Sequence, residues 1–276
     1  MQPACAAIRL EIAATLEKSV LPMDYRSGFA SLLKEAMRRK NPCLFERYYA
    51  QGHTLKPFTF SAYFPGLRGN RGELLDVGDK VVFRFSTASP ELAATIYNGL
   101  RDVTCYPLFD NRLFIQRVVF SPQKIIRLHR ATFKTSSPVL VNCKGNPNWY
   151  LLPGEEGFEE ALSFAVRETA RIFLHECYQT LTVRLESDSS GKPPEHNQSR
   201  HILTMRLTTH RRKVVRHYNM NRQGFVGTFE LAADPALLNL IYAIGLGVHR
   251  SQGFGMLELV PTTNHRGIPA EEEAHE

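Results

Sequence analysis

Between Tyr25 and Lys40 the apolar residues Phe29, Leu32, Leu33, Ala36 and Met37 follow the i, i+3, i+4, i+7, i+8 spacing of one buried helical stripe. Lys34 and Arg38 fall on a different face of that helix. Asn41-Pro42 ends it, because the residue before a proline is driven out of the α region. Upstream, Ala6–Ala13 reads as a strand. Downstream, Leu44–Tyr49 reads as a short helical turn. Phe58–Phe64 alternates strictly, with Phe58, Phe60, Ala62 and Phe64 on one face and Thr59, Ser61 and Tyr63 on the other. Pro65–Gly72 is a glycine-rich loop carrying Arg68 and Arg71. Val81–Phe85 alternates again, Ser89-Pro90 opens a helix that Gly99 is expected to stop, and Leu113–Phe120 supplies a last strand. The order βα-ββ-αβ is that of a ferredoxin-like unit.

The second half repeats this character. Ala131–Lys134 and Val139–Asn142 read as strands and Phe158–Thr180 as a long helix. Ser187–Ser199 is polar and rich in Ser, Gly and Pro, which marks a loop. Leu203–Thr208, Lys213–Tyr218 and Phe225–Leu231 read as three strands, Pro235–Ala243 as a helix and Gly253–Val260 as a closing strand. The expected organisation is therefore α+β, with two tandem ferredoxin-like (RRM-like) domains. They are placed at residues 1–125 and 126–265, with an acidic tail at 266–276.

Composition narrows the class. The 276 residues are 43% hydrophobic and 22% charged, a globular balance. No apolar run approaches the ~20 residues that a membrane span needs. Ala4–Ile12 has no basic cluster before it and is interrupted by Arg9 and Glu11. It is therefore not expected to be an export signal, and cytoplasmic residence is the default. Five scattered cysteines without a C-x-x-C pair read as reduced thiols, neither a disulfide frame nor a zinc site. The net charge is +7, and its clusters say more than its sum. Arg38-Arg39-Lys40 and Arg211-Arg212-Lys213 are compact, which points to a polyanionic partner.

The most distinctive stretch is Gly245-Leu-Gly-Val-His-Arg-Ser-Gln-Gly-Phe-Gly255. Arg250 stands where a dinucleotide fingerprint would need its third glycine, and there is no Gly-Lys-Ser/Thr of a P-loop. Gly245, Gly247, Gly253 and Gly255 beside His249, Arg250 and Ser251 would let backbone amides approach a phosphate chain, with Arg250 adding charge. The alternative is a tight helix-to-strand connection without a ligand.

This segment resembles the C-terminal signature of the RAMP superfamily. More narrowly, it resembles the CRISPR-associated endoribonuclease family that cuts repeat RNA into guide RNAs. Leu21-Pro-Met-Asp-Tyr-Arg26, Lys56-Pro-Phe-Thr-Phe-Ser61, Ser89-Pro-Glu-Leu-Ala93 with Asn98-Gly-Leu100, Ser137-Pro-Val-Leu-Val141 and Tyr150-Leu-Leu-Pro153 have counterparts in the same order. The similarity runs from about Ile8 to Val260. It implies metal-independent RNA cleavage without a cofactor. The implied partners are CRISPR repeat RNA and other CRISPR-associated effector subunits.

Such chemistry sends a 2′-hydroxyl at its neighbouring phosphorus, leaving a 2′,3′-cyclic phosphate and a 5′-hydroxyl. It needs a base, an acid and a cation for the phosphoryl oxygens. By resemblance, Lys56 matches the family's lysine, the family's histidine position falls on Tyr49, and Lys34 replaces the tyrosine of the first helix. Two readings stay open. In one, His53 transfers the proton, since its ordinary pKa suits both roles. In the other, Tyr49, Lys34 and Lys56 act without histidine. Arg211, Arg212, Lys213 and Arg216 on an expected hairpin, with Arg68 and Arg71, would grip phosphates. The rivals are a catalytically inactive repeat-RNA-binding subunit and a protein-interaction scaffold without a nucleic-acid role.

Overall fold

A computed structural model describes residues 6–50, 54–143, 145–174, 181–186 and 202–261. His53, the expected Ser187–Ser199 loop, the far end of the expected Phe158–Thr180 helix and the acidic tail lie outside the described residues.

The first half runs β1 (Ile8–Leu16), β2 (Val20–Pro22), α1 (Tyr25–Lys40), α2 (Pro42–Tyr49), β3 (Phe58–Tyr63), β4 (Gly69–Arg71), β5 (Leu74–Asp76), β6 (Lys80–Thr87), α3 (Pro90–Arg101), β7 (Cys105–Leu108) and β8 (Asn111–Phe120). The main sheet is ordered β3-β6-β1-β8-β7, and every neighbouring pair is antiparallel. Without the edge strand β7 this is the βαββαβ arrangement. The short strands β2, β5 and β4 form a separate sheet, so part of the expected Pro65–Gly72 loop is paired.

The stripe on α1 is buried as its spacing requires: Phe29, Leu32, Leu33, Ala36 and Met37 are all fully enclosed. Helix α3 packs across it. Gly99 does not stop α3, which continues to Arg101. A Cβ at Gly99 would lie 2.6 Å from the Ala36 carbonyl oxygen. The glycine serves helix–helix approach, and that contact outweighs the ~1 kcal/mol a glycine costs inside a helix.

The second half runs β9 (Arg130–Thr135), β10 (Asn142–Cys143), β11 (Asn146–Tyr150), α4 (Phe158–Phe173), β12 (Thr182–Glu186), β13 (Ile202–His217), β14 (Met220–Ala232), α5 (Pro235–Ile244) and β15 (Leu257–Leu259). Its sheet is ordered β12-β13-β14-β9-β15, with β12 parallel to β13 and the other pairs antiparallel. Removing β12 leaves the same pattern as the first half, so the fold is two tandem ferredoxin-like units.

Three expectations change here: in place of a strand at 139–142, Val139 forms an isolated bridge to Phe225 and β10 begins only at Asn142. The separate strands at 203–208 and 213–218 are one 16-residue strand, paired along its length with β14 in a hairpin. The closing strand is only Leu257–Leu259, because a 3₁₀ turn at Arg250–Gln252 and the glycines after it occupy the segment before it.

The units are joined face to face. Thr59 Oγ1 donates to the Phe254 carbonyl (2.8 Å) and Ser86 Oγ to the Ala243 carbonyl (2.7 Å). Arg9, 7% exposed, donates to the Tyr242 carbonyl at 3.0 Å and pairs with Glu258 at 2.9 Å. This explains why β3 is enclosed on both faces despite its alternation: Phe58 and Phe60 enter the first core, while Thr59 meets the second unit. Among the described residues, no helix is long and apolar enough to cross a membrane.

Candidate active site and nucleic-acid interface

Asn41 fixes the start of α2. Its side chain accepts from Leu44 N at 3.0 Å, with Pro42 at the head of the helix. Two turns later the helix delivers Tyr49, whose ring stacks on Phe45 at 5.1 Å between centroids. Lys34, from the flank of α1, puts Nζ 5.1 Å from the centre of the Tyr49 ring. Lys56, just before β3, puts Nζ 4.6 Å from the same centre and donates to the Thr54 carbonyl at 3.4 Å. The structure thus brings Lys34, Tyr49 and Lys56 together, and the negative face of the phenol ring attracts both ammonium groups.

That crowding sets their acidity. Burial, and then the like charge of Lys34, pull Lys56 below the ordinary lysine range. Burial, and then Tyr218, push the Tyr49 phenol up. At neutral pH the pair therefore offers a lysine that releases its proton more readily than usual and a phenol that keeps its own.

Next to this group the tip of the β13–β14 hairpin crosses to the first unit. Asp24, just before α1, accepts from the Tyr218 backbone N–H at 3.0 Å through Oδ2. Its Oδ1 lies 2.8 Å from His217 Nδ1. His217 is fully buried, and its Nε2 lies 3.0 Å from Gln252 Oε1. His249 Nε2 meets the Tyr150 hydroxyl at 3.0 Å. Burial, with Arg222 and His217 adding to it, pulls His249 down to about 4, and burial lowers His217 as well. The His249 imidazole is therefore neutral at pH 7. Arg222 is buried beside them, and its Nε and Nη1 have no hydrogen-bond partner among the described residues.

The glycine segment is consumed by packing. Gly253 has φ +88°, and a Cβ there would stand 2.6 Å from the Phe60 ring. Gly247 has φ +82°, and a Cβ there would stand 2.3 Å from the Leu140 carbonyl oxygen. Gly245 and Gly255 press on each other's segment in the same way. Arg250 is 6% exposed and donates to Thr169 Oγ1 at 2.8 Å. Burial pulls its guanidinium down to about 10. The residues read as a phosphate cradle therefore face protein, while His249 and Ser251 are only half-buried. The loop and Lys56 border a cavity of about 460 Å³ that Thr54, Asn142 and Phe164 also line.

The expected phosphate-gripping cations are on the outside. Arg211, Arg212 and Lys213 are exposed on β13, and Arg68 is exposed before β4. Arg71 donates to Asp76 Oδ2 at 2.7 Å, and Arg216 pairs with Glu73 at 2.8 Å, linking the hairpin to the first unit. Asp24, Tyr218 and Arg222 were not among the expected site residues. The one local signal was the Tyr218-Asn219 pair, a weak turn signature between two strands.

The chain is thus a tandem ferredoxin-like protein whose two units are joined through a glycine-rich C-terminal segment, with exposed cations along β13. Residues 121–259, half of the chain, match the family model described as "CRISPR associated protein Cas6, C-terminal". The chain belongs to the Cas6 family. Compared by sequence with curated proteins, it matches none. Among solved structures it is similar to a Cas6-related protein from Pyrococcus furiosus. The TM-score is 0.73 at 17% identity, over 92% of this chain and 98% of that one. It is also similar to a RAMP protein described as binding different RNA substrates, with TM-score 0.70, 17% identity and coverage of 92% and 99%. A Thermus thermophilus Cas6 product complex gives TM-score 0.65, 16% identity and coverage of 92% and 100%. At these identities the likeness is one of fold.

Proposed function

We propose that this chain is a metal-independent endoribonuclease that cleaves CRISPR repeat RNA by 2′-hydroxyl attack to produce guide RNAs. The observation that carries this reading is the convergence of Lys34 and Lys56 on the Tyr49 ring, where α1, α2 and the start of β3 meet. The reaction displaces a 5′-oxygen from phosphorus while negative charge builds on the phosphoryl oxygens. Two ammonium groups held in a partly desolvated site stabilise that charge without reorganisation. Lys56, acidified by burial and by Lys34, is matched to protonating the leaving 5′-oxygen. The Tyr49 phenol stays protonated and orients by donating a hydrogen bond.

The proton of the 2′-hydroxyl goes to His53 in one version. In the histidine-free version Tyr49, Lys34 and Lys56 act by orientation and charge stabilisation, and the proton passes to solvent water. Arg68, Arg71, Arg211, Arg212, Lys213 and Arg216 would hold the RNA backbone, with His249 and Ser251 at the rim of the cavity. Gly245, Gly247, Arg250, Gly253 and Gly255 would keep that rim rigid.

The test is cleavage of repeat RNA by purified protein in EDTA, with a 2′-deoxy substitution at the scissile nucleotide as control. Cutting that needs magnesium, or that survives the deoxy substitution, refutes the reading. The side-by-side rates of His53→Ala, Tyr49→Phe, Lys34→Ala and Lys56→Ala assign the base. A second reading, an inactive repeat-RNA-binding subunit, is favoured by the tyrosine that stands at the family's histidine position. Tight binding without cleavage would select it.

A further inference from the structure

Tyr218 and Asn219 are the two residues between β13 and β14, with His217 opposite Met220 across the ladder. Their φ values are +47° and +58°. Two successive left-handed residues make the hairpin turn that selects Asn, Asp and Gly. Asn219 suits it and Tyr218 does not. A bulky side chain in that conformation costs on the order of 1–2 kcal/mol, and such strain persists only where the surroundings impose it.

Asp24 imposes it here. One carboxylate oxygen takes the Tyr218 backbone N–H and the other meets His217 Nδ1, so a residue of the first unit clamps the tip of the second unit's hairpin. The side chain held in this way is not buried away. Its ring lies 4.3 Å from the His217 ring and it remains 49% exposed. On the other side of the His217 ring, Nε2 lies 3.0 Å from Gln252 Oε1, and Gln252 lines the same cavity as Lys56, so the hairpin tip stands at the edge of that cavity.

We propose that Tyr218 is a fourth member of the reaction centre, contributed by the second unit. Its neutral phenol donates a hydrogen bond to a phosphoryl oxygen of the scissile phosphate, while Asp24 and His217 act as positioning residues for the turn. No proton leaves the phenol in this role. Burial and the Asp24 charge push Tyr218 above the ordinary tyrosine range, which keeps the O–H in place. The inference rests on the ribonuclease reading and deepens it: the first unit supplies Lys34, Tyr49 and Lys56, and the clamped hairpin of the second unit completes the site.

The experiment compares Tyr218→Phe and Tyr218→Asn with wild type. It measures single-turnover cleavage at saturating protein, the Kd for 2′-deoxy repeat RNA, and the thermal midpoint. Loss of a donor to a developing oxyanion slows the step about 100-fold, so Y218F should cut about 100-fold more slowly at nearly unchanged Kd and midpoint. Y218N should be equally slow while its midpoint holds or rises, because asparagine suits the turn. Asp24→Ala should also be slow, with Asp24→Asn, which keeps an acceptor oxygen, recovering part of the rate. If both Tyr218 variants cut like wild type while Lys56→Ala is slow, this inference alone is overturned. If wild type leaves the RNA uncut, the ribonuclease reading fails and the inference falls with it.

Discussion

Acidification from pH 7 to pH 5 should remove up to about 2 kcal/mol of folding stability through His249 alone. The imidazole is held at about 4 in the folded protein, against an ordinary 6.5, chiefly by burial and then by Arg222 and His217. Between those values the unfolded chain binds the proton and the folded one does not, so stability falls as pH drops through 6.5 and levels off below about 4. At pH 5 the unfolded state gains roughly RT ln(32/1.1), about 2 kcal/mol, against about 0.2 kcal/mol at pH 7. His217, lowered in the same direction, adds to the slope. The assay is urea unfolding at pH 7 and pH 5 for wild type and His249→Asn, since asparagine tolerates the φ of +57° at this position. The variant should be markedly less sensitive to acid. If wild type and H249N lose the same stability between the two pH values, the placement of a neutral, half-buried imidazole at 249 is wrong.

Other predictions concern the seam, the site and the RNA surface. Gly253→Ala combines a left-handed backbone with a Cβ 2.6 Å from Phe60. It should cost about 3 kcal/mol, read as a lowered denaturant midpoint. Lys34→Ala removes the like charge that depresses Lys56. The alkaline limb of the pH–rate profile should then move to higher pH even as the rate falls, and an unmoved limb would separate Lys56 from the proton transfer. Changing Arg211, Arg212 and Lys213 to Gln should make RNA affinity less dependent on salt. The log–log slope should fall by about 0.7–0.9 for each phosphate these cations neutralise. An unchanged slope in a titration of binding against salt would place the RNA elsewhere.

The sequence carried the parts of this molecule whose cause is local. The α1 stripe and the Asn41-Pro42 boundary follow from spacing and capping, and each is present in the structure. Gly99 was misread because its reason is Ala36, on another helix. The long hairpin was divided because Thr209, His210, Arg211 and Arg212 lie where β13 is solvated, so no alternation of apolar residues marks the strand there. Lys34, Tyr49 and Lys56 were legible through the family resemblance. Tyr218 and Asp24 were not, since their contact joins positions 194 residues apart and no periodicity reports it.

Three of the bonds in the seam share a direction. Thr59, Ser86 and Arg9 supply the donors, and the carbonyls of Phe254, Ala243 and Tyr242 receive them. Every residue type offers a carbonyl, so mutation at the receiving positions leaves these particular acceptors in place, whereas mutation at the giving positions removes the bond. Evolutionary drift is therefore constrained unevenly across the join. At these three bonds the β1, β3 and β6 side must hold its chemistry, while the facing segment has only to keep the path of its main chain.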